Sequence, residues 1–176
     1  KSSFRILQTC ESVYLMISNV QENILGYDIA IKGPVITIFF QFKVPEKKTQ
    51  SNARYWSEMG VPYFEIKIWP ATLSPQHNNL RDLARKDPRN KVFYCAPRFH
   101  TNREYGYNYM KETIAQNSVY IPCGSLKPIA GNDEHNICYT ENPRVPHVMH
   151  SEPLSIKGLT LQELESDIEK APTYKN

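Results

Sequence analysis

Three polar side chains that could together support a metal-assisted reaction, Asp28, Gln41 and Lys43, lie at short spacing in the first quarter of the chain. A hard divalent cation such as Mg²⁺ or Mn²⁺ takes oxygen ligands, which the Asp28 carboxylate and the Gln41 carbonyl can supply, while water and substrate phosphate complete its coordination. A lysine beside such a cation can orient the attacking water and offset charge that develops on phosphorus. These residue types therefore predict hydrolysis of a phosphodiester bond.

A β-hairpin would bring the three side chains to one face. Tyr27 to Lys32 and Val35 to Lys43 flank a Gly-Pro pair, and the second stretch is rich in the β-branched and aromatic residues that strands prefer. With that pair as a two-residue turn, Asp28 lies opposite Phe39 and diagonal to Gln41. Asp28 and Gln41 then share a face with Lys43. The opposite, core face consists of Ile36, Ile38, Phe40 and Phe42.

The surrounding pattern predicts one α/β domain of 176 residues. Apolar residues recur at helical spacing from Phe4 to Ile17, and Tyr63 to Trp69 alternates like a half-buried strand. Ser74-Pro75 can begin a second helix that runs to Lys86, and Lys91 to Ala96 has the composition of a buried strand. With the hairpin, residues 4–96 then read helix, three strands, helix, strand, and the last connection should be right-handed.

Residues 97–176 are predicted to form a peripheral extension of this domain. Thr101 with Glu104 and Thr160 with Glu163 have the spacing of capping boxes, which predicts a helix after each threonine. The expected elements are helices at 101–116 and 161–170, short peripheral strands at 118–122 and 136–140, and an irregular, proline-containing loop at 141–153.

Gly26-Tyr-Asp28 followed by Gln41-Phe-Lys43 resembles the signature of the PD-(D/E)xK nuclease superfamily, in which an Asp on one hairpin strand precedes Glu-x-Lys or a variant on the next. The order of elements over residues 4–96 is similar to that of the family core. The resemblance implies a restriction-endonuclease-like αβββαβ core with a mixed central sheet flanked by helices. It also implies a Mg²⁺- or Mn²⁺-dependent endonuclease that acts on DNA.

Many domains of this family serve defence against foreign DNA, so the resemblance implies an antiviral role in the cytoplasm, with a homodimer or a larger defence complex as its assembly. The sequence departs from the family pattern at Gln41, which replaces the usual acid and removes a charge from the metal site. Glu22, just ahead of the first hairpin strand, could restore that charge as a further metal ligand, as could Glu11. Alternatively, Glu22 is an exposed loop acid.

Glu65-Ile-Lys67 is a competing match to the same motif, with the literal Glu-x-Lys spelling on a predicted strand. Alternating strands expose such pairs routinely, so all of these polar groups could also be surface residues without a catalytic role. A different class of function follows from the same reading. The missing acid at Gln41 and the small net charge of +3 favour a catalytically inactive domain that binds nucleic acid or protein within a larger assembly.

Three further residues could contact nucleic acid. His77 lies in the first turn of the second predicted helix, where it could meet a phosphate, although capping or core packing is the favoured explanation. Arg98 and His100 follow the strand that ends near Ala96, where a loop could approach the substrate. Arg98 also belongs to a basic stretch that suits either a solvated surface or a phosphate-binding one. That stretch comprises Arg81, Arg85, Lys86, Arg89, Lys91, Arg98 and Arg103.

Composition narrows the remaining possibilities. No apolar run approaches the roughly 20 residues of a membrane helix, and the chain opens without a signal-peptide pattern or an initiator Met, as a segment of a longer cytoplasmic protein would. The four cysteines lack metal-ligand spacing, which favours buried free thiols over zinc or disulfides. Tyr105, Tyr107 and Tyr109 could stack on unpaired bases or pack within a helix.

Overall fold

Strands and helices alternate along the computed structural model, which describes residues 13–16, 25–33, 35–132, 134–142, 147–150 and 154–170. The strands are β1 (Val13–Met16), β2 (Ile29–Lys32), β3 (Thr37–Phe42), β4 (Glu46–Lys48), β5 (Tyr63–Ile68), β6 (Asn90–Pro97), β7 (Ser118–Pro122), β8 (His135–Thr140), β9 (His147–His150) and β10 (Leu154–Lys157). The α-helices are α1 (Trp56–Met59), α2 (Gln76–Lys86), α3 (Asn102–Met110) and α4 (Leu161–Glu169). None of these helices is long and apolar enough to cross a lipid bilayer.

The strands form two five-stranded sheets, which makes this a mixed α/β fold. The first sheet has the order β1-β2-β3-β6-β7, and the second has the order β10-β9-β8-β5-β4. All neighbours are antiparallel except β3 and β6, which run parallel. A parallel pair needs a long connection, and here the chain passes through β4, α1, β5 and α2 before β6 returns beside β3.

Both faces of the first sheet are covered. On one face Phe39 and Tyr94 pack with Leu80 of α2 and with Phe64 and Ile137 of the second sheet, so one hydrophobic cluster joins the two sheets. On the other face a second cluster includes Ile38 and Phe40 of β3 and Leu161 and Leu164 of α4. Burial on both faces explains the continuous apolar run in β3, as expected of a central strand with a parallel neighbour.

The prediction of a helix from Phe4 to Ile17 is wrong where the structure describes that segment, because Val13–Met16 forms β1 and pairs with β2. Residues 1–12 and 17–24 lie outside the described residues. Val13-Tyr-Leu-Met16 is a short, wholly apolar run, which fits a strand as well as a helix by periodicity alone. Pairing with the edge of β2 supplies the backbone hydrogen bonds that decide between the two.

The stretch from Tyr63 to Trp69 is a strand, as predicted, but not the third strand of the hairpin sheet. It forms β5, which lies between β4 and β8 in the second sheet. Its alternation is real, since Phe64, Ile66 and Ile68 are all buried in the cluster shared by the sheets. A period of two identifies a strand and its inner face, but it does not identify the partner strand.

The other elements follow the predicted order with shifted boundaries. Helix α2 begins at Gln76 and ends at Lys86, and both capping boxes are present, with Thr101 and Thr160 accepting from the backbone of Glu104 and Glu163. Three corrections concern the remainder. Helix α3 ends at Met110, β8 is the central strand of the second sheet rather than a peripheral strand, and the expected loop at 141–153 contains β9.

Candidate functional site

The hairpin places Asp28 directly opposite Gln41. The observed register pairs Lys32 with Thr37 instead of Val35, because the turn is longer than two residues and the Gly33 N–H bonds to the Ile36 carbonyl at 2.9 Å. Continuing that register brings Asp28 to Gln41, and the Asp28 N–H donates to the Phe40 carbonyl at 2.8 Å. The shift from the predicted register is two residues, so every side chain keeps its face.

Both carboxylate oxygens of Asp28 accept hydrogen bonds. Gln41 Nε2 lies 3.3 Å from Oδ1, and the backbone N–H of Phe42 lies 2.6 Å from Oδ2. Gln41 is only 3% exposed and also donates from Nε2 to the Phe42 carbonyl at 3.3 Å. The residues at the start of β2 and the end of β3 therefore fix this carboxylate at the end of two interior strands of the first sheet.

Lys43 joins this group from the residue just after β3. Its Nζ donates to Oε1 of Gln76, the first residue of α2, at 2.7 Å, and lies 5.6 Å from the ring centre of Tyr94. Tyr94 pairs with Gln41 across β3 and β6, which keeps Lys43 on the Gln41 side of the sheet. The sequence did not single out Gln76 or Tyr94. The position of Gln76 after Ser74-Pro75, at a helix start, was the available signal.

His77 belongs to the support of this group and is buried. Its Nε2 lies 2.9 Å from the Lys127 carbonyl, which can only accept, so the ring proton is on Nε2 and Nδ1 accepts from the Tyr94 hydroxyl at 3.1 Å. Burial raises the pKa of Tyr94 well above its usual value, so its phenol keeps the proton that this bond needs. The arrangement favours the packing alternative for His77 over a phosphate contact.

Arg98 and His100 do not join Asp28. Arg98 is 7% exposed, donates from Nη1 to the Thr140 carbonyl at 2.6 Å and so ties the end of β6 to the second sheet. Burial lowers the pKa of its guanidinium. His100 is partly exposed, with Nδ1 3.5 Å from Oε2 of Glu104, and it lines a cavity that Lys43 also borders.

The basic stretch does not form one phosphate-binding surface. Arg81 is buried with its Nε on the Leu126 carbonyl at 2.8 Å, and Arg89 pairs with Asp87 at 2.6 Å. Arg98 is also buried, so at least three of the seven side chains have structural partners.

The cysteine prediction is confirmed for the described thiols. Cys95, Cys123 and Cys138 are free and buried, and burial raises the pKa of each.

Glu65 and Lys67 lie in the second sheet, on the face of β5 opposite the cluster shared by the sheets. Burial raises the pKa of Glu65, whose Oε1 is 3.8 Å from Lys48 Nζ, and Lys67 pairs with Glu134. The competing Glu-x-Lys match is therefore separated from Asp28 by the shared core.

Asp28 and Gln41 can offer a cation one carboxylate and one amide oxygen. The described part of the chain contains no cluster of three or more His, Cys, Asp or Glu side chains suited to a metal, and Glu22 and Glu11 lie outside it. Mg²⁺ is commonly held by one or two carboxylates together with water and substrate phosphate, so this small donor set fits it. Gln41 presents Nε2 to Asp28, so binding requires half a turn of its amide group.

A scan against protein-family models and searches among curated proteins and solved structures found no match to this chain.

Proposed function

We propose that this protein is a metal-dependent nuclease of the restriction-endonuclease-like, PD-(D/E)xK type that hydrolyses phosphodiester bonds in DNA. The observation that carries the proposal is that Asp28 and Gln41 lie directly opposite each other, with Gln41 Nε2 3.3 Å from Asp28 Oδ1. Lys43 follows two residues after Gln41 on the same side of the sheet. These are types of side chain that metal-assisted phosphodiester hydrolysis uses, held where two strands of a buried sheet end.

The topology of the first sheet supports the same assignment. Along the chain, β1, β2 and β3 form an antiparallel meander, and β6 returns parallel to β3 after α2. That succession of three strands, a helix and a strand agrees with the family core, although β4 and β5 intervene in a second sheet. The three strands that support the assignment are therefore β1, β2 and β3, whereas the sequence predicts β2, β3 and β5.

The residues of the chain would divide the work as follows. Asp28 and Gln41 would hold Mg²⁺ or Mn²⁺ together with the substrate phosphate, and the bound cation would supply Lewis-acid stabilisation of the phosphoryl oxygens. Lys43 would orient the attacking water and offset negative charge on phosphorus. Gln76 and Tyr94 would position the Lys43 ammonium through a hydrogen bond and a ring contact.

Cleavage assays with matched variants test the proposal. Plasmid, linear DNA and RNA are incubated with Mg²⁺ or Mn²⁺ and the protein, and Asp28→Asn and Lys43→Ala should each abolish cleavage. Lys67→Ala is the matched control, because Lys67 belongs to the competing motif and should leave cleavage unchanged. Untouched substrates, or equal cleavage by Lys43→Ala, would sink the proposal, and loss of cleavage in Lys67→Ala alone would transfer the site to the second sheet.

A catalytically inactive binding module is the second candidate, favoured by one contact. Gln41 brings no charge, and its amide nitrogen already occupies Asp28 Oδ1. Such a domain would bind nucleic acid or protein within a larger defence assembly in the cytoplasm, either as a homodimer or with other subunits. Calorimetry with Mn²⁺ separates the two candidates, since a nuclease should bind the ion in a manner that Asp28→Asn removes, whereas an inactive module should release no binding heat.

A further inference from the structure

A cavity of about 790 Å³ opens on the face of the first sheet that is opposite to Asp28 and Gln41. Its buried lining includes Ile31, Phe40 and Tyr120, and its exposed lining includes Phe42 and Tyr105. Cavities of roughly 300–1,000 Å³ with apolar walls and a few polar groups are typical of ligand sites. The volume is therefore large enough for a planar aromatic group.

Exposed aromatic rings continue this lining onto α3. Tyr105 is 55% exposed and stacks on Tyr109, with ring centres 6.3 Å apart and planes 20° apart, and Tyr109 is 64% exposed. Residues four apart on a helix share a face, so the two rings form one surface that begins inside the cavity. Phe42, Tyr105 and Tyr109 are called the aromatic surface below.

One lysine stands at the border of the cavity. Among the described residues that line it none is acidic, and Lys43 borders it where β3 ends, although the Lys43 ammonium is directed to the opposite face of the sheet. The nearby Glu104 carboxylate is held by Thr101 and His100, to which it bonds as part of the capping box of α3. An aromatic surface beside a cationic group is the pattern by which proteins hold unpaired bases and their phosphates.

The end of β3 connects this surface to the candidate site. Phe42 and Lys43 are consecutive, so their side chains leave opposite faces of the sheet, Phe42 into the cavity and Lys43 toward Gln76. We propose that a single-stranded segment of nucleic acid crosses the end of β3, with unpaired bases stacked on the aromatic surface and a phosphate near Lys43. This inference rests on the proposed nuclease function and specifies its substrate, because bases stacked within a duplex have no free face to offer the rings.

Binding measured without catalysis tests the inference. Fluorescence anisotropy with labelled oligothymidylate, oligouridylate and a DNA duplex is recorded in EDTA, so that no cleavage occurs. We expect both single strands to bind more tightly than the duplex, and Tyr105→Ala and Phe42→Ala each to weaken single-strand binding about tenfold. Tyr105→Phe keeps the ring and should bind normally.

Tyr107→Ala is the matched control, because Tyr107 is an exposed tyrosine of α3, like Tyr105, but does not line the cavity. Equal affinity of Tyr105→Ala and the unmodified protein, or a preference for duplex, overturns the inference. So does loss of self-association in Tyr105→Ala without a change in oligonucleotide affinity, because a second copy would then be the occupant. If Tyr105→Ala weakens binding but no substrate is cleaved with Mn²⁺, the surface stands and the nuclease function fails. If cleavage depends on Lys43 but neither cleavage nor binding depends on Tyr105, the nuclease function stands and the aromatic surface fails.

Discussion

Lys43 Nζ donates a 2.7 Å hydrogen bond to Oε1 of Gln76, which joins the end of β3 to the start of α2. The two residues are 33 positions apart in the chain, and the contact exists because α2 lies on the Gln41 side of the first sheet. Where Lys43 acts on the attacking water, Gln76 therefore governs the position of its ammonium.

Changing Gln76 should therefore change the proposed cleavage reaction without removing a group that touches substrate. Gln76→Ala should lower the cleavage rate about tenfold, through loss of one charge-assisted hydrogen bond. Gln76→Glu keeps an acceptor but adds a negative charge, which favours the protonated ammonium and raises the pKa of Lys43. Because the proposed reaction uses the charged Lys43 ammonium, the falling limb of the rate against pH should move to higher pH.

The measurement is the pH profile of oligonucleotide cleavage with Mn²⁺, and Gln50→Glu, an exposed substitution of the same chemistry, serves as the control. A profile that stays in place in Gln76→Glu while the rate falls equally at all pH values would give Gln76 a purely structural role.

Gln41→Glu should exchange stability for metal affinity. The new carboxylate would lie beside Asp28 in a position only 3% exposed, so repulsion and burial should raise the pKa of one of the two acids. When the pKa of a carboxyl group is higher in the folded protein than in the unfolded chain, the group destabilises the fold as pH rises above the unfolded pKa. Near neutral pH we expect a loss of roughly 1–3 kcal/mol in the free energy of unfolding, which should disappear at low pH.

Mn²⁺ should reverse that loss, because a second carboxylate restores the charge that the family motif normally supplies. Thermal unfolding with and without Mn²⁺ measures the effect, and Gln41→Leu, which lacks both charge and hydrogen bond, should show neither the pH dependence nor the rescue. Equal stabilisation of Gln41→Glu and the unmodified protein by Mn²⁺ would argue against a cation at this position.

The parts of this fold that the sequence could predict depend on local rules. The capping boxes at Thr101 and Thr160 follow from side chains three residues apart, and the shared face of Asp28 and Gln41 survived a two-residue error in register because the strand period is two. The sheet to which β5 belongs and the helix that reaches Lys43 could not be predicted. Both depend on packing between segments distant in sequence, which periodicity does not encode.

Arg98 should matter for stability and not for nucleic-acid affinity. Arg98→Ala would leave the Thr140 carbonyl without its donor and remove a side chain that spans the two sheets, so the free energy of unfolding should fall by about 1–3 kcal/mol. Urea unfolding measures this, with the exposed Arg103→Ala on α3 as the control. The salt dependence of oligonucleotide binding should be unchanged in Arg98→Ala, and a shallower slope would restore Arg98 as a phosphate contact.

The capping box of α3 should give the protein a dependence on acid. Hydrogen bonds from Thr101 and the His100 backbone lower the pKa of Glu104 to about 2, below the roughly 4.3 of an unfolded chain. A carboxyl group with a lowered folded pKa stabilises the fold above its unfolded pKa, and this contribution is lost as pH falls through its folded value. Glu104→Gln should therefore destabilise the protein near neutral pH, and the difference should shrink as the pH falls from about 4.3 toward 2.

The effect should be below about 1 kcal/mol, because Glu104 is exposed enough for solvent to screen its charge. Urea unfolding at several pH values tests this against Glu169→Gln, an exposed acid outside a capping box, and a pH-independent difference would mean that the box stabilises α3 through geometry alone.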